Sequence, residues 1–131
     1  MGYLRQTGKD ELIITDENGR DRLRIREKAE GRDMVFVLSG ELKNEYSFEF
    51  EDELNAVLSV QPRIRIDMSS LSYIASDGLK AILDAQKTLR KEAGGNLILS
   101  GLSGQVLESF ESSGFMPLFI ISGKGEIIKE K

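Results

Sequence analysis

Strand-like and helix-like segments alternate from Gly31 onward, and this alternation limits the possible folds more than any other feature of the chain. The apolar run 34–38 is uninterrupted, as expected for a strand covered on both faces. Strands that alternate with helices require crossover connections and favour an α/β domain with a partly parallel sheet. The later segments are predicted from the spacing of their apolar residues. These are Phe50, Leu54, Val57 and Leu58 (helix), Ile64, Ile66 and Met68 (strand), Leu79, Ile82, Leu83 and Leu89 (helix), 97–99 (strand), Val106, Leu107 and Phe110 (helix) and 119–121 (strand).

The dipeptide Asn18-Gly19 separates two strand-like runs near the start of the chain. Both residue types tolerate the positive φ of a tight turn, so we predict a hairpin formed by residues 9–15 and 20–28. This hairpin would extend a mixed sheet at its N-terminal side. Residues 1–20 either extend the sheet or mediate self-association, and a homodimer is therefore one expectation.

Size and composition favour a single domain over 1–131, with a core at about 22–122, an N-terminal extension 1–21 and a charged tail 123–131. The net charge is −4, from 18 Lys and Arg against 22 Asp and Glu. An acidic chain is a poor general ligand for nucleic acid, because neutralising phosphates requires excess cations. We expect no membrane insertion, since apolar runs are short and no leader is recognisable, and we expect a cytoplasmic protein.

The chain has no cysteine and no histidine. It therefore lacks disulfides, thiolate nucleophiles and the most frequent metal ligand and general base. We predict that the protein is not an enzyme and that it carries no cofactor and no metal.

The joint between the strand around Ile66 and the next helix concentrates small polar residues. Residues 69–75 read as a loop with an apolar end. Ser76 then suits the N-cap of the helix, and Asp77 suits the positive end of the helix dipole. A purely structural interpretation, in which Ser76 only caps the helix, remains open as the alternative to a functional role.

Three short sequence segments, in this order along the chain, resemble segments of STAS domains. These domains occur in anti-sigma-factor antagonists and at the cytoplasmic ends of sulfate transporters. Residues 38–42 (LSGEL) are similar to the family's L-x-G-E-L, residues 64–69 (IRIDMS) to its v-v-l-D-l-S, and residues 73–79 (YIASDGL) to its f-i-D-S-S-G-L. The resemblance covers about residues 22–122. It implies an α/β fold with a STAS-like mixed sheet and crossover helices.

The resemblance also implies a partner switch of the anti-sigma-factor-antagonist type. The unmodified antagonist would bind an anti-sigma factor that is also a serine-protein kinase, and phosphorylation of Ser76 would end the binding. This chain departs from the family pattern at three positions near that serine, which hold Ala75, Asp77 and Lys43. The residues that the resemblance assigns to partner binding are Lys43, Asp67, Ser69, Ala75, Asp77, Gly78 and Leu79.

Three other interpretations remain open at this point. The first is a STAS protein that is never phosphorylated and acts as a scaffold or small subunit of a signalling or transport complex. The second is a small hydrolase using Ser76 and Lys80, which lie four residues apart on one helical face. The third is a basic stripe on one sheet face, made by the rows Arg22, Arg24, Arg26 and Arg63, Arg65; a solvated face with nearby acids is the simpler alternative.

Overall fold

The computed structural model describes residues 4–8, 11–58, 63–122 and 127–129. Within these ranges the chain forms eight strands and three α-helices. The strands are β1 (Leu4–Gly8), β2 (Glu11–Thr15), β3 (Asp21–Glu30), β4 (Asp33–Leu42), β5 (Arg63–Ile74), β6 (Asn96–Ser100), β7 (Ile120–Ser122) and β8 (Ile127–Lys129). The helices are α1 (Ser47–Leu58), α2 (Ser76–Ala93) and α3 (Gly104–Ser113).

The described strands form one mixed sheet whose spatial order follows the chain order from β1 to β8. Pairing is antiparallel from β1 to β4, parallel from β4 to β7, and antiparallel between β7 and β8. Helices α1, α2 and α3 make the three parallel connections, and each moves to the next strand in the same direction. Right-handed crossovers in one direction place all three helices over one face of the sheet. The predicted mixed sheet with crossover helices and an N-terminal hairpin is confirmed.

The predicted hairpin corresponds to β2 and β3, and residues 9 and 10 of its first predicted arm lie outside the described residues. Asp16 fixes the turn, because its Oδ1 accepts the N–H groups of Asn18 (2.8 Å) and Arg20 (3.0 Å). Gly19 has φ +81°, the left-handed conformation expected at this position. Strand β1 pairs with β2, so residues 4–8 extend the sheet.

Two segments differ from the sequence-based expectation. The predicted loop 69–75 is wrong, because β5 continues to Ile74 and pairs with β4 as far as Leu42. A run of serines is typical of a loop, but the long neighbouring strand supplies a hydrogen-bonding ladder that overrides this local preference. Within the predicted charged tail, residues 127–129 form β8.

The core lies between the helices and the covered face of the sheet. Alternate strand residues such as Phe36 and Ile66 are fully buried and share one apolar cluster with Phe50 of α1, Ile82 of α2 and Phe110 of α3. This pattern follows the predicted periodicity, since apolar residues two apart in a strand and three or four apart in a helix share a face.

The opposite face of the sheet carries the two arginine rows. Carboxylates form ion pairs with the arginines of both rows. This face is therefore better described as a solvated face with nearby acids than as a basic stripe. Arg65, for example, donates to Glu30 Oε1 at 2.7 Å and to Ser100 Oγ at 3.2 Å. The arginines of the two rows also form the ion pairs Arg22–Glu41, Arg24–Glu11, Arg24–Asp21, Arg26–Glu11 and Arg63–Asp33.

Candidate functional site

Ser76 is the first residue of α2, two residues after the end of β5. Ala75 holds the N-cap position with an extended backbone (φ −95°, ψ 172°). The prediction that Ser76 is the N-cap is therefore wrong by one residue, because the extended backbone of β5 continues through Ala75. The side chain of Ser76 is exposed, and within the described parts of the chain no hydrogen bond engages its hydroxyl.

Other groups satisfy the first turn of α2. The N–H groups of Gly78 and Leu79 both donate to the carbonyl oxygen of Ala75 at 3.1 Å. The N–H of Asp77 donates to Asn44 Oδ1 at 3.0 Å, across 33 residues of sequence. A side chain from the turn after β4 thus caps α2, which leaves the hydroxyl of the first helical residue without a capping role.

Close packing of α2 on the end of β4 fixes the position of this junction. The N–H of Ala75 donates to the carbonyl oxygen of Leu42 at 2.9 Å. A Cβ on Gly78 would lie 2.8 Å from Leu42 Cδ2 and 3.1 Å from Ile74 Cγ1, and Leu42 is fully buried. Glycine is therefore the residue that lets the helix approach the strand this closely.

A glutamine from α3 holds the other side of the junction. Gln105 Oε1 accepts the N–H of Ile74 at 2.9 Å, and Gln105 Nε2 donates to the carbonyl oxygen of Ile74 at 3.0 Å. Sequence reasoning missed both Gln105 and Asn44. Their roles depend on contacts across more than thirty residues, and no local pattern in the sequence signals such contacts.

A cleft of about 330 Å³ lies beside the start of α2. Lys43 Nζ lies 3.8 Å from Glu41 Oε1, and Arg22 makes a shorter ion pair with the same carboxylate oxygen. The charge of Glu41 raises the pKa of the Arg22 guanidinium above its ordinary value. The cleft therefore combines a cation, carboxylates and a partly exposed aromatic ring, and most of its lining residues are polar. Its lining residues are Glu41, Lys43, Asn44, Glu45, Tyr73 and Ala75.

Five of the seven residues assigned to partner binding meet at this junction. Asp77 is exposed, Lys43 and Leu79 are half-buried, and Ala75 and Gly78 are buried. The two buried residues shape the backbone and the packing of the junction, while the other three contribute side-chain surface next to the serine.

The remaining two residues, Asp67 and Ser69, lie farther back along β5. Asp67 Oδ1 accepts the N–H of Ser69 at 3.0 Å and its Oγ–H at 2.7 Å. In the sheet, Asp67 stands opposite Val37 and Ile74 stands opposite Leu42. Five residue steps along β4 therefore separate Asp67 from the end of β5, or roughly 17 Å of extended strand.

The side chain of Lys80 is turned toward the next helical turn. Its Nζ donates to Asp84 Oδ2 at 3.0 Å, and this hydrogen bond raises the pKa of Lys80 above its ordinary value. A lysine that serves as a general base needs a lowered pKa, so that it is neutral near pH 7. The Ser76–Lys80 arrangement considered from the sequence thus lacks the electrostatics of a nucleophile and base.

The described residues contain neither a metal-binding cluster nor a membrane-spanning helix. Among them, no group of three or more aspartates and glutamates is arranged to hold a metal ion. None of the helices in the described ranges is both long enough and apolar enough to cross a membrane.

Comparison with known proteins supports the resemblance to STAS domains seen in residues 38–42, 64–69 and 73–79. Residues 25–120 match the family model described as "Mlab, STAS domain", which is more than half of the chain. A Bordetella bronchiseptica protein named "Putative anti-sigma factor antagonist BtrV" is 33% identical over 94 residues, which are 71% of this chain and 80% of that protein.

Solved structures share the fold at lower sequence identity. An anti-sigma factor antagonist from Mycobacterium paratuberculosis superposes with a TM-score of 0.69 at 21% identity, covering 76% of this chain and 84% of that one. The Bacillus cell fate determinant SpoIIAA in its phosphorylated form gives a TM-score of 0.61 at 20% identity, covering 76% of this chain and 92% of that one. The family match over residues 25–120 and the 33% identity to the Bordetella protein show that the chain belongs to the STAS domain family.

Proposed function

We propose that this protein is an anti-sigma-factor antagonist that binds an anti-sigma factor with serine kinase activity and is released when Ser76 is phosphorylated. The observation that carries the proposal is the exposed Ser76 hydroxyl at the first residue of α2, which has no capping role. Two similarities add support: the relative BtrV is named an anti-sigma factor antagonist, and SpoIIAA has been solved in a phosphorylated form. Ser76 is the switch serine of this proposal.

A phosphate on the switch serine would change the surface rather than the fold. It adds about −1.5 to −2 charges near pH 7. The N-terminal end of a helix tolerates this charge, because its backbone N–H groups and dipole favour anions. Asp77 is already exposed beside the serine. The added charge would therefore act on a docked partner, through repulsion and the cost of desolvating the phosphate.

The proposed binding surface surrounds the switch serine. Lys43, Asp77 and Leu79 supply accessible side-chain surface, and the cleft beside Lys43 offers a concave contact. Ala75 and Gly78 keep the junction compact enough for the partner to approach. Asp67 and Ser69 form the far end of this surface along β5. We also propose that the protein acts in the cytoplasm, as a binding protein rather than an enzyme.

The test is incubation with the cognate anti-sigma kinase and ATP, followed by mass spectrometry of the intact protein and its peptides. We expect one phosphate on Ser76 and none on Ser76→Ala. Ser76→Asp should bind the partner at least tenfold more weakly than Ser76→Ala. Ser112→Asp is the control, because Ser112 is exposed in the last turn of α3, at the opposite end of that helix from Gln105, and the substitution adds the same charge there. Failure of the unmodified protein to bind the kinase would refute the proposal.

A second candidate is a STAS protein that binds a partner without being phosphorylated, as a scaffold or small subunit of a signalling or transport complex. The observation that favours it is the composition of the junction, where the resemblance expects an aspartate and a serine but Ala75 is buried and Asp77 is exposed. Under this alternative Ser76→Ala and Ser76→Asp would bind the partner with nearly equal affinity. A large loss confined to the aspartate variant would exclude it.

A further inference from the structure

Strand β5 is longer than its neighbour β6. The pairing between them ends where Asp67 stands opposite Ser100, whereas β5 continues to Ile74. After β6 the chain leaves the sheet and enters α3, so within the described residues no strand pairs with this edge of β5 near Ile74. Partly buried backbone N–H and C=O groups at such an edge need other hydrogen-bond partners.

The side chain of Gln105 provides these partners. Its carboxamide accepts from the N–H and donates to the carbonyl of the same residue, Ile74, at 2.9 and 3.0 Å. This two-way exchange is what a hydrogen-bonded residue of an adjacent antiparallel strand would offer. Nε2 also donates to Ser109 Oγ at 2.9 Å, one helical turn farther along α3. The two bonds to Ile74 fix which way the amide points, because a backbone N–H only donates and a carbonyl only accepts, and the Ser109 hydroxyl accepts the remaining N–H.

The backbone that leads into the switch serine is therefore held from both sides. Gln105 of α3 binds Ile74 on one side, and the carbonyl oxygen of Leu42 at the end of β4 accepts the N–H of Ala75 on the other. Ser76 follows directly. Its hydroxyl has no hydrogen bond among the described residues, so its position depends on how well these two preceding residues are held.

We propose that Gln105 is a positioning residue for Ser76, through which α3 sets the geometry of the switch. This inference rests on the proposed role of Ser76 as the phosphorylated residue. Phosphoryl transfer depends on holding the attacking oxygen within a narrow range of distance and angle, so a loosened junction lowers the rate of the chemical step. Gln105 touches neither the phosphate donor nor the reacting oxygen and acts only through the backbone before the serine.

The test compares Gln105→Met with Gln86→Met. Gln86 is the control, because it is a glutamine that, like Gln105, makes three hydrogen bonds, and it is buried. It accepts from the N–H of Leu97 and donates to Asn96 Oδ1 and to the carbonyl oxygen of Leu118. Hydrogen exchange followed by NMR reports on the Ile74 amide in the full-length chain. Single-turnover phosphorylation by the cognate kinase reports on the presentation of Ser76.

We expect the Ile74 amide to exchange roughly three- to tenfold faster in Gln105→Met than in wild type, which is the effect of losing one net hydrogen bond. The maximal single-turnover rate should fall by a similar factor, with little change in the kinase concentration that gives half of that rate. Gln86→Met should change neither the Ile74 exchange rate nor the phosphorylation rate. Gln105→Glu keeps the acceptor for the Ile74 N–H but loses the donor, and it should lie between wild type and Gln105→Met in both assays.

Two results would overturn the inference: an unchanged exchange rate of Ile74 in Gln105→Met, or an equal loss of phosphorylation rate in Gln86→Met. If wild-type protein is not phosphorylated at all, the proposed function fails. The exchange measurement then decides alone whether Gln105 holds the junction. The failure of one proposal can thus be distinguished from the failure of the other.

Discussion

The side-chain oxygen of Asn44 accepts the backbone N–H of Asp77 at 3.0 Å and so caps a helix that begins more than thirty residues later. Ordinary N-caps come from the residue just before the helix, and here that residue is Ala75, which has no side-chain acceptor. The turn after β4 supplies the missing acceptor. The end of one strand and the start of the next helix therefore depend on each other.

Asn44→Ala should lower the free energy of unfolding by about 1 kcal/mol, the usual cost of removing an N-cap acceptor. Asn44→Asp should recover most of the loss, because the carboxylate still accepts the hydrogen bond and its charge suits the helix N-terminus. Urea denaturation of the three proteins under identical conditions measures both effects. Equal stability of wild type and Asn44→Ala would show that this contact does not cap α2.

Gly78→Ala should destabilise the protein by about 1 kcal/mol, although alanine is the better helix former. The new methyl group would crowd Leu42 and Ile74, and such overpacking costs about 1–3 kcal/mol, against a gain of about 1 kcal/mol in helix propensity. In a Leu42→Ala background the same substitution should become neutral or stabilising. A double-mutant cycle by denaturant unfolding tests this change of sign, and additive effects would contradict it.

Asp16 should make stability depend on pH. The hydrogen bonds from the N–H groups of Arg20 and Asn18 lower the pKa of its carboxyl below the ordinary value. A carboxyl whose pKa is lower in the folded state contributes stability above its unfolded value of about 3.9, and this contribution is lost as the pH falls through the folded pKa. Asp16→Asn should therefore be less stable than wild type at pH 7, and the difference should shrink below about pH 4.

The control for this measurement is Glu17→Gln, which removes a neighbouring exposed carboxylate instead. Both variants are compared with wild type by chemical denaturation at pH 7 and pH 3. If the difference in unfolding free energy between wild type and Asp16→Asn is the same at both pH values, the ionised carboxylate of Asp16 does not stabilise the turn.

Lys43→Ala should leave stability almost unchanged while weakening partner binding. The ion pair with Glu41 is long, at 3.8 Å, and both side chains are about one-third exposed. Pairs of this kind contribute about 0–1 kcal/mol. Isothermal titration with the anti-sigma partner at two salt concentrations measures the binding effect. Lys87→Ala, at an exposed position of α2, is the control; equal effects of the two variants would remove Lys43 from the proposed surface.

The strands and helices with strong periodicity were predictable, because their patterns arise from burial on one face. Phe50, Leu54 and Val57 lie four and three residues apart and are buried together in α1. The Asn18-Gly19 turn was equally predictable, because Gly19 takes the left-handed conformation that few residue types accept, although Asn18 does not take it. The end of β5 was not readable, since its serines lack an apolar pattern and its strand conformation depends on β4.

The position of the candidate site in the sequence was predictable, but the side chains that hold it in place were not. The motif around Ser76 gave the position of the serine, and the structure moves the residue from the N-cap to the first turn. Neither Asn44 nor Gln105 has a spacing or a neighbouring sequence that signals its role. Each is defined by a contact between elements that are distant in the chain, and only the folded backbone brings those elements together.

The agreement between spatial strand order and chain order has a consequence for how the protein reaches its native state. Each strand pairs with the strand that comes next in sequence, so no segment has to be inserted between two that are already paired. The antiparallel hairpins close over short stretches of chain, whereas the parallel pairing of β4 with β5 joins residues about thirty positions apart, such as Met34 and Ile64, and such pairs form more slowly. The sheet can still grow outward one strand at a time, but the junction that carries Ser76 is complete only when α2 and α3 have packed against β4 and β5.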